Sequence, residues 1–203
     1  MGSGIDRRIM HSSYILNNYG EVFKAIITAF LPVNCVELGV LEGYSACAIA
    51  EGLKENFERR GTKGHLNAYD LFEKYPYRHA SMKSVEKTIE EKGLMEWATL
   101  HEADAFLVDG KYENNSVGFL HVDLSNTGET VFKIMRDWDK KMVQGGIICF
   151  EGGSEERDEV GWMKRYGAGP IKKEIETNPI IEANYVFATY YKFPSMTCLL
   201  KKR

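Results

Sequence analysis

The sequence predicts an α/β protein, a doubly wound and mainly parallel seven-stranded sheet closed by an antiparallel C-terminal strand pair. Three observations predict it. Apolar runs of strand length alternate with runs of helical periodicity, the pattern of strand–helix–strand crossovers. The last two strand-like runs have no helix between them, which predicts an antiparallel edge. Glycines or acids stand just past the ends of successive strand runs, where ligands sit in sheets of this kind.

The elements follow in order. Residues 12–30 read as a helix, with Ile15, Leu16, Tyr19, Phe23, Ile26, Ile27 and Phe30 near helical spacing. Residues 34–38 are the first strand. A glycine turn follows, then a helix over 45–60 that Gly61 stops. The second strand is 65–71, and a helix over 80–92 ends at Gly93. The third strand is 97–101, and a short helix begins near 106–108. The fourth strand is 117–122, and a helix over 129–142 is expected to end at Gly145-Gly146. The fifth strand is 147–150, with a helix over 156–166 after it. Residues 185–193 and 196–201 form the closing pair.

The chain has 203 residues, enough for one domain with a full core, so 1–203 reads as a single domain in which 1–30 form an N-terminal helix and lid region. The formal net charge of -3 gives no electrostatic reason to expect nucleic acid or an anionic membrane as partner. No run approaches the roughly 18 apolar residues of a membrane span. Met1-Gly2-Ser3-Gly4 reads as an expression scar. Cys35, Cys47, Cys149 and Cys198 are scattered and lack zinc-ligand spacing, which predicts reduced thiols in a cytoplasmic protein. The oligomeric state stays open, a homo-oligomer included.

The turn Glu37-Leu38-Gly39-Val40-Leu41-Glu42-Gly43-Tyr44-Ser45 carries the functional signal. Its two glycines let backbone approach a ligand where a Cβ would collide. Glu37 is an acid inside that turn, unfavourable for a diphosphate and tolerable for a cation. That points to S-adenosylmethionine (SAM), a sulfonium with an ammonium group, with Glu37, Gly39, Gly43 and Ser45 near it. A purely structural turn is the alternative. Asp70, ending the second strand, can accept from both ribose hydroxyls, or cap the turn that follows. Asp104-Ala105, past the third strand, can meet the adenine edge, or be an exposed loop. Asp123 leaves the buried strand Phe119-Leu120-His121-Val122 and is the candidate for the reacting end. Glu151 ends the fifth strand, and with Asp123 it could hold a divalent cation such as Mg2+ through oxygen ligands; both could instead be caps. His101 and His121 read as core histidines, while His11 and His79 could border a substrate pocket. Glu155-Glu156-Arg157-Asp158-Glu159 reads as a solvated helix start.

In this order the motifs resemble the class I SAM-dependent methyltransferases, which have Rossmann-like sheets. Tyr69-Asp70-Leu71-Phe72-Glu73, His121-Val122-Asp123 and Gly145-Gly146-Ile147-Ile148-Cys149-Phe150-Glu151 are similar to blocks of the macrocin O-methyltransferase group. The resemblance implies methyl transfer from SAM to a small-molecule acceptor, with a hydroxyl oxygen as target. It also implies acids holding a magnesium-type ion at the positions of Asp123, Glu151 and Gly152, and a general base at Ser125. Here the third ligand is Gly, the base is Ser, and Lys74 replaces a usual Gly. Those departures keep a non-catalytic SAM-binding protein in view. A nucleotide-cofactor oxidoreductase is the other rival, and the missing Gly-x-Gly-x-x-Gly fingerprint speaks against it.

Overall fold

The computed structural model describes residues 12–76, 80–161 and 167–203. His11, His79 and Met1-Gly2-Ser3-Gly4 lie outside the described residues. The strands are β1 (Asn34–Leu38), β2 (His65–Asp70), β3 (Ala98–Glu102), β4 (Val117–Val122), β5 (Met142–Glu151), β6 (Tyr185–Tyr190) and β7 (Met196–Lys201). They form one seven-stranded sheet in the order β3-β2-β1-β4-β5-β7-β6. Neighbours among β1 to β5 are parallel, and β7 runs antiparallel to both β5 and β6. This is the doubly wound sheet with an antiparallel terminal pair that the sequence predicts.

Seven α-helices accompany the strands among the described residues. They are α1 (Tyr19–Phe30), α2 (Tyr44–Arg60), α3 (Met82–Glu91), α4 (Gly128–Trp138), α5 (Glu155–Asp158), α6 (Ile171–Thr177) and α7 (Pro179–Asn184). Period-two alternation along the strands sorts the core into two layers. Cys35, Leu66 and Phe119 pack with Phe23, Ile27, Ile49, Leu53 and Ile89 of α1, α2 and α3. Val36, Leu38, Leu120 and Val122 pack with Ile134, Trp138, Ile171 and Ile181 of α4, α6 and α7. Each large apolar side chain so buried contributes about 1.5–3 kcal/mol. No helix among the described residues is long and apolar enough to cross a membrane.

Several boundaries differ from expectation. The N-terminal helix is split: a 3₁₀ turn over Ser13–Asn17 stops at Asn18, whose φ of 55° is left-handed, and α1 starts beyond it. Asn tolerates that conformation better than most residues, and apolar spacing does not reveal it. The helix expected to reach 142 ends at Trp138, and β5 already begins at Met142. Gly145-Gly146 therefore lie inside β5, where Gly145 has a φ of 75° and the register against β4 shifts. Those glycines mark a bulge rather than a helix stop. Of the helix expected over 156–166, Glu155–Asp158 form one turn, α5, and 162–166 fall outside the described residues. Helices α6 and α7 have no counterpart among the sequence expectations. Asn178 Oδ1 accepts from the N–H groups of Ile180 and Ile181 and starts α7.

Candidate active site

Strand order reverses between β1 and β4, so the crevice of the sheet opens past their carboxyl ends. There the chain packs backbone on backbone. The N–H of Asp123 donates to the carbonyl of Leu38 at 2.8 Å, and the N–H of Gly39 donates to that of Tyr69 at 2.9 Å. Gly39 has a φ of +91°, and a Cβ there would lie 2.0 Å from the carbonyl oxygen of Asp123. Gly43, the N-cap of α2, has a φ of +84°, and its Cβ would lie 2.6 Å from Cγ1 of Val85. Both glycines are demanded by backbone conformation and by close approach.

A cavity of about 370 Å³ fills this crevice, within the roughly 300–1,000 Å³ of small-molecule sites. Gly39, Asp70, Asp104, Ala105, Asp123 and Glu151 line it together. Six of the residues singled out from the sequence thus meet at one place. Leu41 of the glycine turn and Ser125 line it too, as do Ser12, Tyr75, Phe106 and Leu124, which had no motif to mark them. Asp70 has firm local duties: Oδ2 accepts from the N–H groups of Val40 (2.7 Å) and Leu41 (3.1 Å), and Oδ1 from that of Phe72 (2.8 Å). It braces the glycine turn against the end of β2. Asp104 Oδ1 accepts from the N–H of Phe106 at 2.9 Å and caps a 3₁₀ turn over Ala105–Leu107.

A family model described as a methyltransferase domain matches residues 36–151, more than half of the chain. The chain belongs to this methyltransferase family. By family and fold it is a class I SAM-dependent methyltransferase. Solved structures agree on the fold. The O-methyltransferase TomG of Streptomyces achromogenes, involved in tomaymycin synthesis and solved with SAM, has a TM-score of 0.68 at 12% identity. That match covers 98% of this chain and 84% of the other. The SAH-bound methyltransferase PaMTH1 of Podospora anserina has a TM-score of 0.67 at 16% identity, over 96% and 81%. The O-methyltransferase of Bacillus cereus with SAH has a TM-score of 0.66 at 14% identity, over 95% and 84%. No curated protein matches the chain.

In this methyltransferase Glu37 does not line the cavity. It is fully buried, and Oε1 lies 2.9 Å from Nδ1 of His121, while Oε2 has no hydrogen-bond partner among the described residues. Nε2 of His121 lies 3.0 Å from the hydroxyl of Tyr14. The side chains of Glu37 and His121 stand abreast on β1 and β4, facing α1, with Phe23 edge-on to the imidazole. Glu37 thus supports the turn from behind, and the acidity facing a ligand comes from Asp70, Asp104, Asp123 and Glu151. The core reading of His121 holds, while its link to Tyr14 ties the N-terminal 3₁₀ turn to the sheet. Gly43 and Ser45 shape the start of α2 without lining the cavity.

At the other end Asp123 accepts from Nδ2 of Asn126 at 3.3 Å and shares the cavity wall with the neighbouring carboxyl of Glu151. Burial, then the neighbouring charge of Glu151, holds the Asp123 carboxyl well above the usual carboxylate range. Glu151 is also engaged by Arg157, whose Nε and Nη2 both lie 3.1 Å from its Oε1. Arg157 is only 6% exposed, so the acidic run 155–159 is not simply a solvated helix start. One base inside that run, six residues after a strand-end acid, was the signal available for it. Ser125, at the base position of the resemblance, shares a 2.9 Å hydroxyl contact with Thr130. No cluster of three metal-ligating side chains occurs among the described residues. Asp123 and Glu151 meet as ion ligands would, but residue 152 is Gly and Glu151 already holds a guanidinium. That donor set does not fit a divalent ion, which would have to share Glu151 with a buried positive charge.

Proposed function

We propose that this methyltransferase carries the methyl group of SAM to a hydroxyl oxygen of a small-molecule acceptor, acting as one domain over 1–203. The observation that carries this reading is the gathering of four carboxylic side chains, Asp70, Asp104, Asp123 and Glu151, around one crevice at the β1/β4 switch. SAM supplies a methyl group already activated on a cationic sulfur. The protein therefore has to hold and align. The turn at Gly39, braced by Asp70, offers backbone to the amino-acid end of the cofactor, and Asp70 faces the ribose. Asp104 and Ala105 border the adenine. Gly43 and Ser45 set the start of α2, and Glu37 fixes the turn from below. Near-attack alignment of this kind supplies about 7–11 kcal/mol of a barrier.

Asp123 is the catalytic residue in this reading. A carboxylate with a raised pKa is a better proton acceptor near neutral pH than an ordinary one. It takes the hydroxyl proton as the acceptor oxygen gains the methyl group. Leu41, Tyr75, Phe106 and Leu124 suit an acceptor with an apolar or aromatic body. The segments 69–73, 121–123 and 145–151 support placing the chain beside the macrocin O-methyltransferase group, from which Ser125 and Gly152 separate it. Mg2+ finds no such support. Calorimetry with S-adenosylhomocysteine (SAH), then a screen of catechols, sugars and other hydroxyl compounds with methyl-labelled SAM, tests the reading. Absence of any heat with SAH overturns it. Label transfer to nitrogen acceptors alone overturns the oxygen target.

A further inference from the structure

The reacting end of the cavity holds two carboxyl groups on adjacent strand ends, Asp123 after β4 and Glu151 at the end of β5. Two such groups in a water-poor site need a counter-charge. The fold provides one. After Glu151 the chain passes through Gly152 and Gly153, both at a φ of 105°. A Cβ on the first would lie 2.5 Å from Cδ1 of Ile171, and one on the second 2.1 Å from Oγ1 of Thr197. Only glycines allow this reversal against α6 and β7. Ser154, itself 3% exposed, then caps α5, its Oγ accepting from the N–H of Arg157 at 3.2 Å. The reversal brings residue 157 back over residue 151, and Nε and Nη2 of Arg157 converge on one oxygen of Glu151.

We propose that the Arg157 guanidinium is the built-in cation of this site, standing where the macrocin-type pattern places a divalent ion, so that the enzyme works without a metal. The proposal rests on the methyltransferase site described above. Three features support it. A guanidinium keeps its charge at any pH a protein survives. Its fork holds Glu151 in place as a bound ion would, and Glu151 lines the cavity beside Asp123. A divalent ion entering between the carboxyl groups would have to strip Glu151 from a buried guanidinium and lie beside its positive charge. Gly152 in place of the third acid fits the same account, because the position that would carry a ligand carries the reversal instead. Arg157 is then a positioning residue: it acts on the reaction through Glu151 and Asp123.

Electron paramagnetic resonance with Mn2+ tests this on the full chain, alone and with saturating SAH. The wild type should leave Mn2+ free, and its SAH affinity should be the same in EDTA and in millimolar Mg2+. Arg157→Met should gain Mn2+ affinity by about tenfold or more, because it frees Glu151 beside Asp123. An arginine whose charge does not set the cation preference of the site would not produce that gain. A stoichiometric Mn2+ site in the wild type that Asp123→Asn abolishes overturns the proposal. So does an Arg157→Met protein that folds and binds Mn2+ no better than the wild type. Should Arg157→Met fail to fold, the wild-type titration alone decides. Loss of SAH binding in every sample would sink the cofactor reading, while the Mn2+ titration of the ligand-free protein would still test Arg157.

Discussion

Replacing Gly39 by alanine probes the contact that creates the crevice. The new Cβ would have to occupy a point 2.0 Å from the carbonyl oxygen of Asp123 and 2.7 Å from its carbonyl carbon. Neither atom is the end of a flexible side chain, so β1 and β4 must part or the turn must rebuild. A non-glycine residue forced to a φ of +91° costs about 1–3 kcal/mol. Overpacking a filled contact costs about 1–3 kcal/mol more. Together these give about 2–6 kcal/mol, a large share of the 5–15 kcal/mol that holds an ordinary domain. For a chain of this length that corresponds to a fall in Tm of about 5–20 °C. Gly61→Ala is the control, since Gly61 has a φ of +70° and nothing within 4 Å of its would-be Cβ. It should lose only the left-handed term, about 1–2 kcal/mol. Thermal and urea unfolding measure both, and SAH titration of the surviving fold measures the damage to the site. If Gly39→Ala melts no lower than Gly61→Ala and binds SAH as the wild type does, the close approach of β1 and β4 is not what builds the crevice.

Asp123→Asn should stabilise the fold, and more so as pH rises. The folded carboxyl titrates above its unfolded value, so stability present below the unfolded pKa is lost as pH climbs through the folded one. Melting curves from acid to neutral pH that run parallel for mutant and wild type would refute this. Asp70→Ala should cost about 1.5–3 kcal/mol for each of its backbone bonds that cavity water does not replace, and weaken SAH binding along with it. Unaltered urea midpoints would speak against a bracing role. His121→Leu should cost about 3–5 kcal/mol by leaving the Glu37 carboxyl buried without its imidazole, and Glu37→Leu with His121→Leu should recover part of it. A double mutant no more stable than His121→Leu would count against the pair. Burial pushes the Cys35 thiol up and the Cys47 thiol up to about 12, so neither should react with Ellman's reagent at neutral pH until urea unfolds the chain.

The sheet was legible because its strands are buried on both sides and its helices are amphipathic, so unbroken apolar runs alternate with stretches of period 3.6. The cavity was legible because acids and glycines at strand ends have few structural reasons to recur. What stayed hidden depends on conformation or on distant partners. The left-handed Asn18 and the bulge at Gly145 are local backbone choices that apolar spacing does not encode. Arg157 looked like one charge in a solvated run, because no local pattern says that two glycines fold it back onto Glu151. The cavity walls Leu41, Tyr75, Phe106 and Leu124 are ordinary apolar residues until the loops are placed.

The acids past the strands form one sequence signal, yet the structure gives them different tasks according to what each meets. Asp70 meets backbone N–H groups and braces a turn. Asp104 meets one N–H and caps a 3₁₀ turn. Glu37, one residue before its strand ends, stays inside the core beneath α1 and meets His121. Glu151 meets a fixed guanidinium. Asp123 meets another carboxyl group and a side-chain amide, and neither neutralises it. A carboxyl group so placed is costly to the fold and useful to a proton acceptor for the same reason: its charge is held in a site that does not welcome it. That asymmetry among similar residues singles out Asp123, and it turns the choice of proton acceptor into a measurable trade between stability and methyl transfer at one side chain.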